Sequence, residues 1–363
     1  MTGPDIPHQR LLNQRILLST VHAPADLVGW LGAVQAQDYL GALWAVGLRL
    51  DSASEASVET ALANRTIVRS WPLRGTLHFT AATDLRWMLA LTSQHTVAGV
   101  ARRFRQLELN EEIFSRSRDV LIRTLQDGKA LPRDAVYQAL NAVKISTEGQ
   151  RGIHILWRLA LDGLICYGAR QEKQHTFVLL DEWLPASKTL PHEQALAELA
   201  VRYLRGHGPA MVQDFTWWSS LPAAEARLAI ELVKPDLEEV RFKERSYWTI
   251  PFNLNSEADG SRAVLLPSFD EFLVGYTDRS AVLEPQFIKR TNAGGGILNP
   301  TILIDGLVAG TWKRALKKES VVITLSTFRP LDEGEWNGIT LAAQRYAAFL
   351  GKRLVLPISL NHD

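Results

Sequence analysis

The feature that most constrains this chain is an order of elements that occurs three times. Each time a helical stretch is followed by a proline that opens a second helix, where the missing N–H costs nothing. A third helix and two strand-like runs then follow. The prolines stand in Pro24-Ala-Asp-Leu-Val-Gly-Trp-Leu31, Pro132-Arg-Asp-Ala-Val-Tyr-Gln-Ala-Leu140 and Pro209-Ala-Met-Val-Gln-Asp-Phe-Thr-Trp217. Residues 9–19, 116–127 and 193–205 supply the preceding helices, and 54–64, 152–162 and 223–232 the following ones. The strand pairs are expected at 66–71 with 76–80, 164–168 with 176–179, and 237–242 with 246–250. One such match carries little weight, but three in register indicate tandem copies of one supersecondary unit. Three helices and a two-stranded hairpin is the order of a winged helix, a variant of the helix-turn-helix fold.

Beyond residue 250 the pattern changes. Residues 251–261 are rich in Asn, Ser, Asp and Gly and read as a linker. Strands are expected at 263–266, 272–276, 301–303, 307–312, 321–325 and 354–358, with one amphipathic helix at 336–350. Asp305-Gly306 between two apolar runs is a strong hairpin signal. The fold class is therefore α+β: three tandem winged-helix units and a small C-terminal β-barrel-like domain. The boundaries fall at 1–105, 106–190, 191–250 and 262–363. Residues 43–50 read as a short strand or buried turn.

A chain of 363 residues has room for several cores. Its 46% hydrophobic and 22% charged residues are those of a globular protein. No apolar run is long enough to span a bilayer, and the N-terminus lacks the pattern of a signal peptide. The single cysteine, Cys166, excludes an intrachain disulfide and a cysteine-ligated cluster, and the nine histidines show no metal-ligand spacing. No cofactor and no metal are expected, and the chain is expected to work as a monomer in the cytoplasm. Net charge is only +1, but basic residues cluster, at Arg65, Arg69, Arg74 and Arg86 and again at Lys313, Arg314, Lys317 and Lys318. Local clusters suffice for phosphate contacts, although solvated helix faces look the same in sequence.

The unusual local motif is Val34-Gln-Ala-Gln-Asp-Tyr39. Residues two apart point the same way only in extended backbone, so Gln35 and Gln37 converge only if the helix before them ends by about Val34. Two convergent amides could hold a water and aim oxygen dipoles at a developing positive charge. Spacing alone favours the plainer alternative, with Gln35 as a helix cap and Gln37 solvated. Asp38 is expected to tie down the loop as a helix cap, with sharing of the water as the alternative. Tyr39 and Trp44 could stack on a base or belong to the core. Arg69, Arg74 and His78 lie on the first hairpin, where alternation sends polar residues outward, towards DNA.

The sequence resembles the AlkZ-like family of bacterial winged-helix DNA glycosylases. The resemblance rests on Leu12-Asn-Gln-Arg15, Val34-Gln-Ala-Gln-Asp38, Arg69-Ser-Trp-Pro-Leu-Arg-Gly-Thr-Leu-His78, Gly208-Pro-Ala-Met-Val-Gln-Asp-Phe215, Leu266-Pro-Ser-Phe-Asp-Glu-Phe-Leu-Val-Gly-Tyr276 and Asp305-Gly-Leu-Val-Ala-Gly-Thr-Trp312, in that order along nearly the whole chain. It implies three winged helices in a C shape, closed by the C-terminal β domain, with DNA on the concave side. It also implies that Gln35 and Gln37, flanking Ala36, are the catalytic pair, with Asp38 and Tyr39 as loop support. Arg65, Arg69, Arg74, His78, Lys313 and Arg314 are the expected DNA contacts. The expected partner is double-stranded DNA carrying alkylated bases.

A glutamine takes no proton at neutral pH, so such a pair suffices only for a leaving group that is already activated. The expected activity is monofunctional: hydrolysis of the N-glycosidic bond of cationic alkylated purines, N7-alkylguanine and N3-alkyladenine, extending to bulky adducts and interstrand crosslinks. No lysine adjoins the motif for strand cleavage through a Schiff base. The competing reading is a non-catalytic winged-helix regulator or damaged-DNA-binding protein. Residues 57–63 are poor in the side chains that a base-reading helix needs. Phe269-Asp-Glu271 is a domain-junction motif with no assigned chemistry.

Overall fold

A computed structural model describes residues 5–187, 189–242, 244–251 and 263–356. All but the first residue of the expected linker 251–261, and the end of the last expected strand, lie outside the described residues.

The first segment carries helices Ile6–Asn13, Pro24–Leu31, Tyr39–Gly47 and Glu55–Ala63, then the hairpin Ile67–Leu73 and Thr76–Ala81. Ser54 caps the fourth helix through a reciprocal capping box with Ser57. Arg74 and Gly75 both have positive φ at the hairpin turn, the backbone that matches strand twist in a two-residue loop. Helices Leu85–Gly99 and Ala101–Gln106 follow. The second segment runs Glu111–Leu125, Arg133–Ala142, Arg151–Leu161, then strands Ile165–Tyr167 and Thr176–Leu179. The third runs His192–His207, Val212–Ser219, Ala223–Val233, then strands Glu238–Phe242 and Arg245–Thr249.

Several expectations need correction. The first helix starts at Ile6, capped by Asp5, and stops at Asn13. Residues 43–50 are mostly helix, part of Tyr39–Gly47, in which Gly41 to Gly47 are all buried. A helix apolar on every side has no amphipathic period to betray it. Residues 272–276 form no strand: Glu271–Val274 is a single helical turn capped by Asp270.

The first two hairpins share one sheet. Its six strands run in the order Val34–Gln35, Thr76–Ala81, Ile67–Leu73, Ile165–Tyr167, Thr176–Leu179, Leu131–Pro132, joined between segments where Arg69 faces Tyr167. The C-terminal sheet has five strands, in the order Arg353–Val355, Ser320–Thr327, Leu307–Leu316, Thr301–Ile304, Ala263–Leu266. Among the described residues its two end strands do not pair with each other, so this sheet is open and not closed into a barrel. Helix Glu333–Phe349 packs on it through Ile339, Ala343 and Tyr346.

The first hairpin feeds three cores at once. Phe79 belongs to one core with Leu43, Trp44, Leu303, Trp312 and Tyr346. Val68 and Trp71 pack with Leu156, Ile165 and Phe177. Leu73 packs with Leu196, Tyr203, Phe215 and Trp218. Burying a large apolar side chain of this kind contributes about 1.5–3 kcal/mol, so the hairpin is fixed from several sides. It consequently has almost no solvent face, and this decides what its polar residues do.

Candidate active site

The helix Pro24–Leu31 ends at Gly32, whose φ of +81° turns the chain beneath the ring of Trp218. The chain is then extended. Val34 faces Phe79 and Gln35 faces His78 across an antiparallel pair. The Ala36 N–H continues the ladder by donating to the Leu77 carbonyl at 2.7 Å. Gln35 and Gln37 both reach the same hairpin. Gln35 Oε1 accepts from Arg74 Nη2 at 3.0 Å, and Gln37 Oε1 accepts from the Leu77 N–H at 3.2 Å. Because both partners are donors, each amide must turn its oxygen to the hairpin. The NH2 groups are the free ends of both side chains among the described residues. Gln35 is buried and Gln37 is exposed.

Behind Gln35 lies a buried polar cluster. Arg74 Nη1 donates to the Trp218 carbonyl at 3.0 Å, and its Nη2 also faces His78 Nε2 at 3.2 Å. His78 Nδ1 lies 2.9 Å from the Thr76 carbonyl. The proton therefore sits on Nδ1 and the bare Nε2 accepts from the arginine. Burial, and then the adjacent Arg74 charge, push the His78 pKa down to about 3, so the imidazole is neutral. Glu271 comes from the C-terminal segment and is fully buried. Burial alone would raise its pKa. The His207 hydrogen bond and charge, with Arg74 and His78 behind them, outweigh this and hold it at about 2.

The other side of the loop is clamped by Arg69. Its Nε and Nη2 donate to the Ala36 carbonyl at 3.1 and 2.8 Å, and its Nη1 meets His175 Nε2 at 3.1 Å. Its guanidinium lies between the rings of Tyr39 and Tyr167. Tyr39 donates to Glu59 at 2.6 Å, and Glu59 pairs with Arg170 at 2.7 Å. Burial, and then the Glu59 hydrogen bond, raise the Tyr39 pKa. Burial, and then Arg69 and Arg170, lower that of His175 to about 4.

The expected outward alternation on the hairpin therefore fails. Arg69 and His78 are buried and Arg74 is half-buried, because helices and the second hairpin cover both sides. Arg69 and Arg74 hold the glutamine loop, and His78 lies behind Arg74. Arg65 is exposed, with its guanidinium over the Trp183 ring at 4.2 Å. Lys313 and Arg314 are neighbours on one strand and point to opposite faces. Lys313 is exposed, while Arg314 donates to the Tyr346 hydroxyl at 2.7 Å and lies 3.6 Å from Asp38. Asp38 stands at the cap position of helix Tyr39–Gly47, yet its side chain makes no capping bond there. It ties the loop down through Arg314 instead. Trp44 is core, with its indole N–H donating to the Leu265 carbonyl at 2.7 Å. Of the adjacent pair, Trp218 is buried and Trp217 is 49% exposed.

Sequence reasoning missed the partners that come from far along the chain. Glu271 was singled out only as a junction residue, and Glu59, Arg170 and His175 were not singled out at all. Periodicity carries no signal for a side chain whose partner lies 100 residues or more away. Among the described residues, no group of three His, Cys, Asp or Glu is placed to hold a metal ion, and no helix is long and apolar enough to cross a membrane. What converges is a pair of amides on a rigid hairpin, backed by a buried Arg–His–Glu cluster.

Comparison with known proteins gives the family. A curated protein of Streptomyces sahachiroi, an interstrand DNA cross-link repair glycosylase, is 26% identical over 343 residues, covering 87% of this chain and 88% of that one. The solved structure of the Streptomyces sahachiroi DNA glycosylase AlkZ superposes with a TM-score of 0.79 at 23% identity, covering 97% of this chain and 98% of the other, and so shares its fold. The sequence model of the family described as DNA glycosylase AlkZ-like matches residues 28–349, and the chain belongs to that family of DNA glycosylases.

Proposed function

We propose that this protein hydrolyses the N-glycosidic bond of cationic alkylated purines, N7-alkylguanine and N3-alkyladenine, in double-stranded DNA, with bulky adducts and interstrand crosslinks in the same class. The observation that carries the proposal is that, among the described residues, each carboxylate beside the glutamines is directed to another partner. Glu271 is buried with both oxygens engaged, and Asp38 faces Arg314. Water activation at this site is weak, so the leaving group must depart readily by itself. In a cationic purine the C1′–N bond breaks with its electron pair passing to the base, which leaves neutral. Water then adds to the oxocarbenium carbon, and its proton passes to solvent.

The two glutamines divide the work. Gln35 is fixed by a charge-assisted bond from Arg74 to its oxygen, which leaves its NH2 as the donor end. Gln37 is exposed and tethered by one bond of 3.2 Å, so it is the residue free to turn its oxygen to the water or to the sugar cation. Ala36, clamped by Arg69, keeps the pair in register. We read the three helix–hairpin segments as winged helices whose concave side holds the duplex, in a monomer acting at the nucleoid. The exposed Arg65 and Lys313 are the phosphate contacts, and Arg314 holds Asp38. A regulator fits less well, since Glu59 on helix Glu55–Ala63 is spent on Tyr39 and Arg170 and reads no base.

The test is a panel of duplexes carrying N7-methylguanine, a bulky N7-guanine adduct, uracil or 8-oxoguanine, with abasic sites measured for each. Excision of the two cationic lesions is expected. Efficient release of uracil, a neutral and poor leaving group, would overturn the charge argument.

A further inference from the structure

Glu271 opens the single helical turn Glu271–Val274, and its two carboxylate oxygens serve different parts of the molecule. Oε2 accepts from the Trp218 indole N–H at 3.0 Å and faces His207 Nε2 at 3.2 Å, both in the third segment. Oε1 accepts the backbone N–H of Gln35 at 2.8 Å, in the first segment. Val34–Gln35 is an end strand of the six-stranded sheet. Alternate N–H groups of an end strand point away from its neighbour. Ala36 turns its N–H to Leu77, so that of Gln35 points outward, where no strand follows. A buried N–H without a partner is costly, and one carboxylate oxygen takes the place of the missing strand.

We propose that Glu271 is the positioning residue for the glutamine pair, fixing the strand that carries Gln35 from its outer side as Arg74 fixes the side chain from the inner side. The proposal rests on Gln35 and Gln37 being the active pair. It gives the Phe269-Asp-Glu271 motif a function: the C-terminal segment completes the site without touching the substrate. A carboxylate is required because both of its oxygens face donors. A glutamine has one acceptor. Placed at residue 271, it would give that oxygen to Trp218 and His207 and turn its NH2 against the Gln35 N–H.

The experiment compares wild type, Glu271→Gln and Thr277→Val. Thr277 donates to Asp214 at 2.9 Å, so its loss loosens the same junction without touching Gln35. The first readout is hydrogen exchange of the Gln35 backbone amide, which needs no activity. Protection is expected in wild type and Thr277→Val, and its loss in Glu271→Gln. The second is single-turnover excision of N7-methylguanine. Glu271→Gln is expected to lose about a hundredfold in rate, the scale of a small misplacement of a reacting group, with DNA affinity unchanged. Thr277→Val is expected to lower the melting temperature and leave the rate intact. A Gln35 amide that exchanges freely in wild type overturns the proposal even if Glu271→Gln does not fold. So does a Glu271→Gln protein that keeps the wild-type rate, or one that keeps protection at Gln35. A wild type inactive on every lesion would refute the proposed function, and the exchange data would still decide what Glu271 holds.

Discussion

Arg74 reaches Gln35 Oε1 with one arm of its guanidinium and the Trp218 carbonyl with the other, both at 3.0 Å. The planar fork fixes the amide plane of Gln35, and with it the direction of its NH2. A lysine keeps the positive charge but offers no fork. Arg74→Lys is therefore expected to keep the fold and the DNA affinity while excision of N7-methylguanine slows by about tenfold. Single-turnover abasic-site formation measures it, and an unchanged rate would mean that the orientation of Gln35 is irrelevant to the chemistry.

The two glutamines differ in how they are held, so their substitutions should differ too. Gln37→Ala removes the mobile amide and is expected to cost about a hundredfold or more in rate, as removal of one oriented dipole does. Gln35→Ala is expected to cost as much in rate and also to lower stability, because it leaves an Arg74 donor without its acceptor. Asp38→Asn should change the rate little if the carboxylate only holds Arg314. A loss comparable with that of Gln37→Ala would move water activation to Asp38.

How far the sequence foretold this arrangement depends on where each residue's partners lie. The Asp305-Gly306 turn was legible because the residues it pairs, Ile304 and Leu307, are its own neighbours in the chain. The helix Tyr39–Gly47 was not, since Leu43, Trp44 and Val46 are buried on every side and leave no polar stripe. Alternation along the first hairpin misled for a related reason. It assumes one wet face, and here Phe79, Trp71 and Leu73 enter three different cores. The glutamine motif itself was visible from its odd spacing. That its oxygens are bound to the hairpin was not, because Arg74 lies 39 residues on from Gln35 and Leu77 40 residues on from Gln37.

The buried histidine makes acid stability a test of the cluster. His78 has a folded pKa of about 3, below the ordinary value of 6.5, so below pH 6.5 the unfolded chain takes up a proton that the folded chain refuses. Stability is then lost as pH falls from 6.5 towards 3, with a slope approaching 1.4 kcal/mol per pH unit from this one group. His175, held at about 4, adds to the same slope down to that pH. Urea unfolding at pH 7, 6 and 5 should show this decline, and His78→Asn should flatten it whatever its absolute stability. An equally steep decline in the variant would mean that other groups set the acid sensitivity.

The junction of the first and last segments is held by a second buried pair. Arg49 donates to both oxygens of Asp270, at 2.9 and 2.7 Å, with neither side chain exposed, and its remaining bonds go to Ala45 and Gln14. Removing one partner of such a pair leaves an uncompensated charge in the interior and typically costs about 3–5 kcal/mol. Asp270→Asn tests that effect: the asparagine oxygen can still cap Phe272 N–H, now at 2.9 Å from Asp270 Oδ1, while its NH2 replaces the acceptor of Arg49 Nη1. The expected result in urea unfolding is a loss of that size, with the slope against denaturant unchanged. Arg49→Met together with Asp270→Asn removes both charges and should recover much of the loss, since apolar replacement of a buried pair is often near neutral. Leu265, Leu303 and Trp312 share one core with Leu43 and Trp44, so the two segments should still unfold together. A single Asp270→Asn variant within about 1 kcal/mol of wild type would show that the pair contributes no more than a surface ion pair, and the shared apolar core would then hold the junction alone.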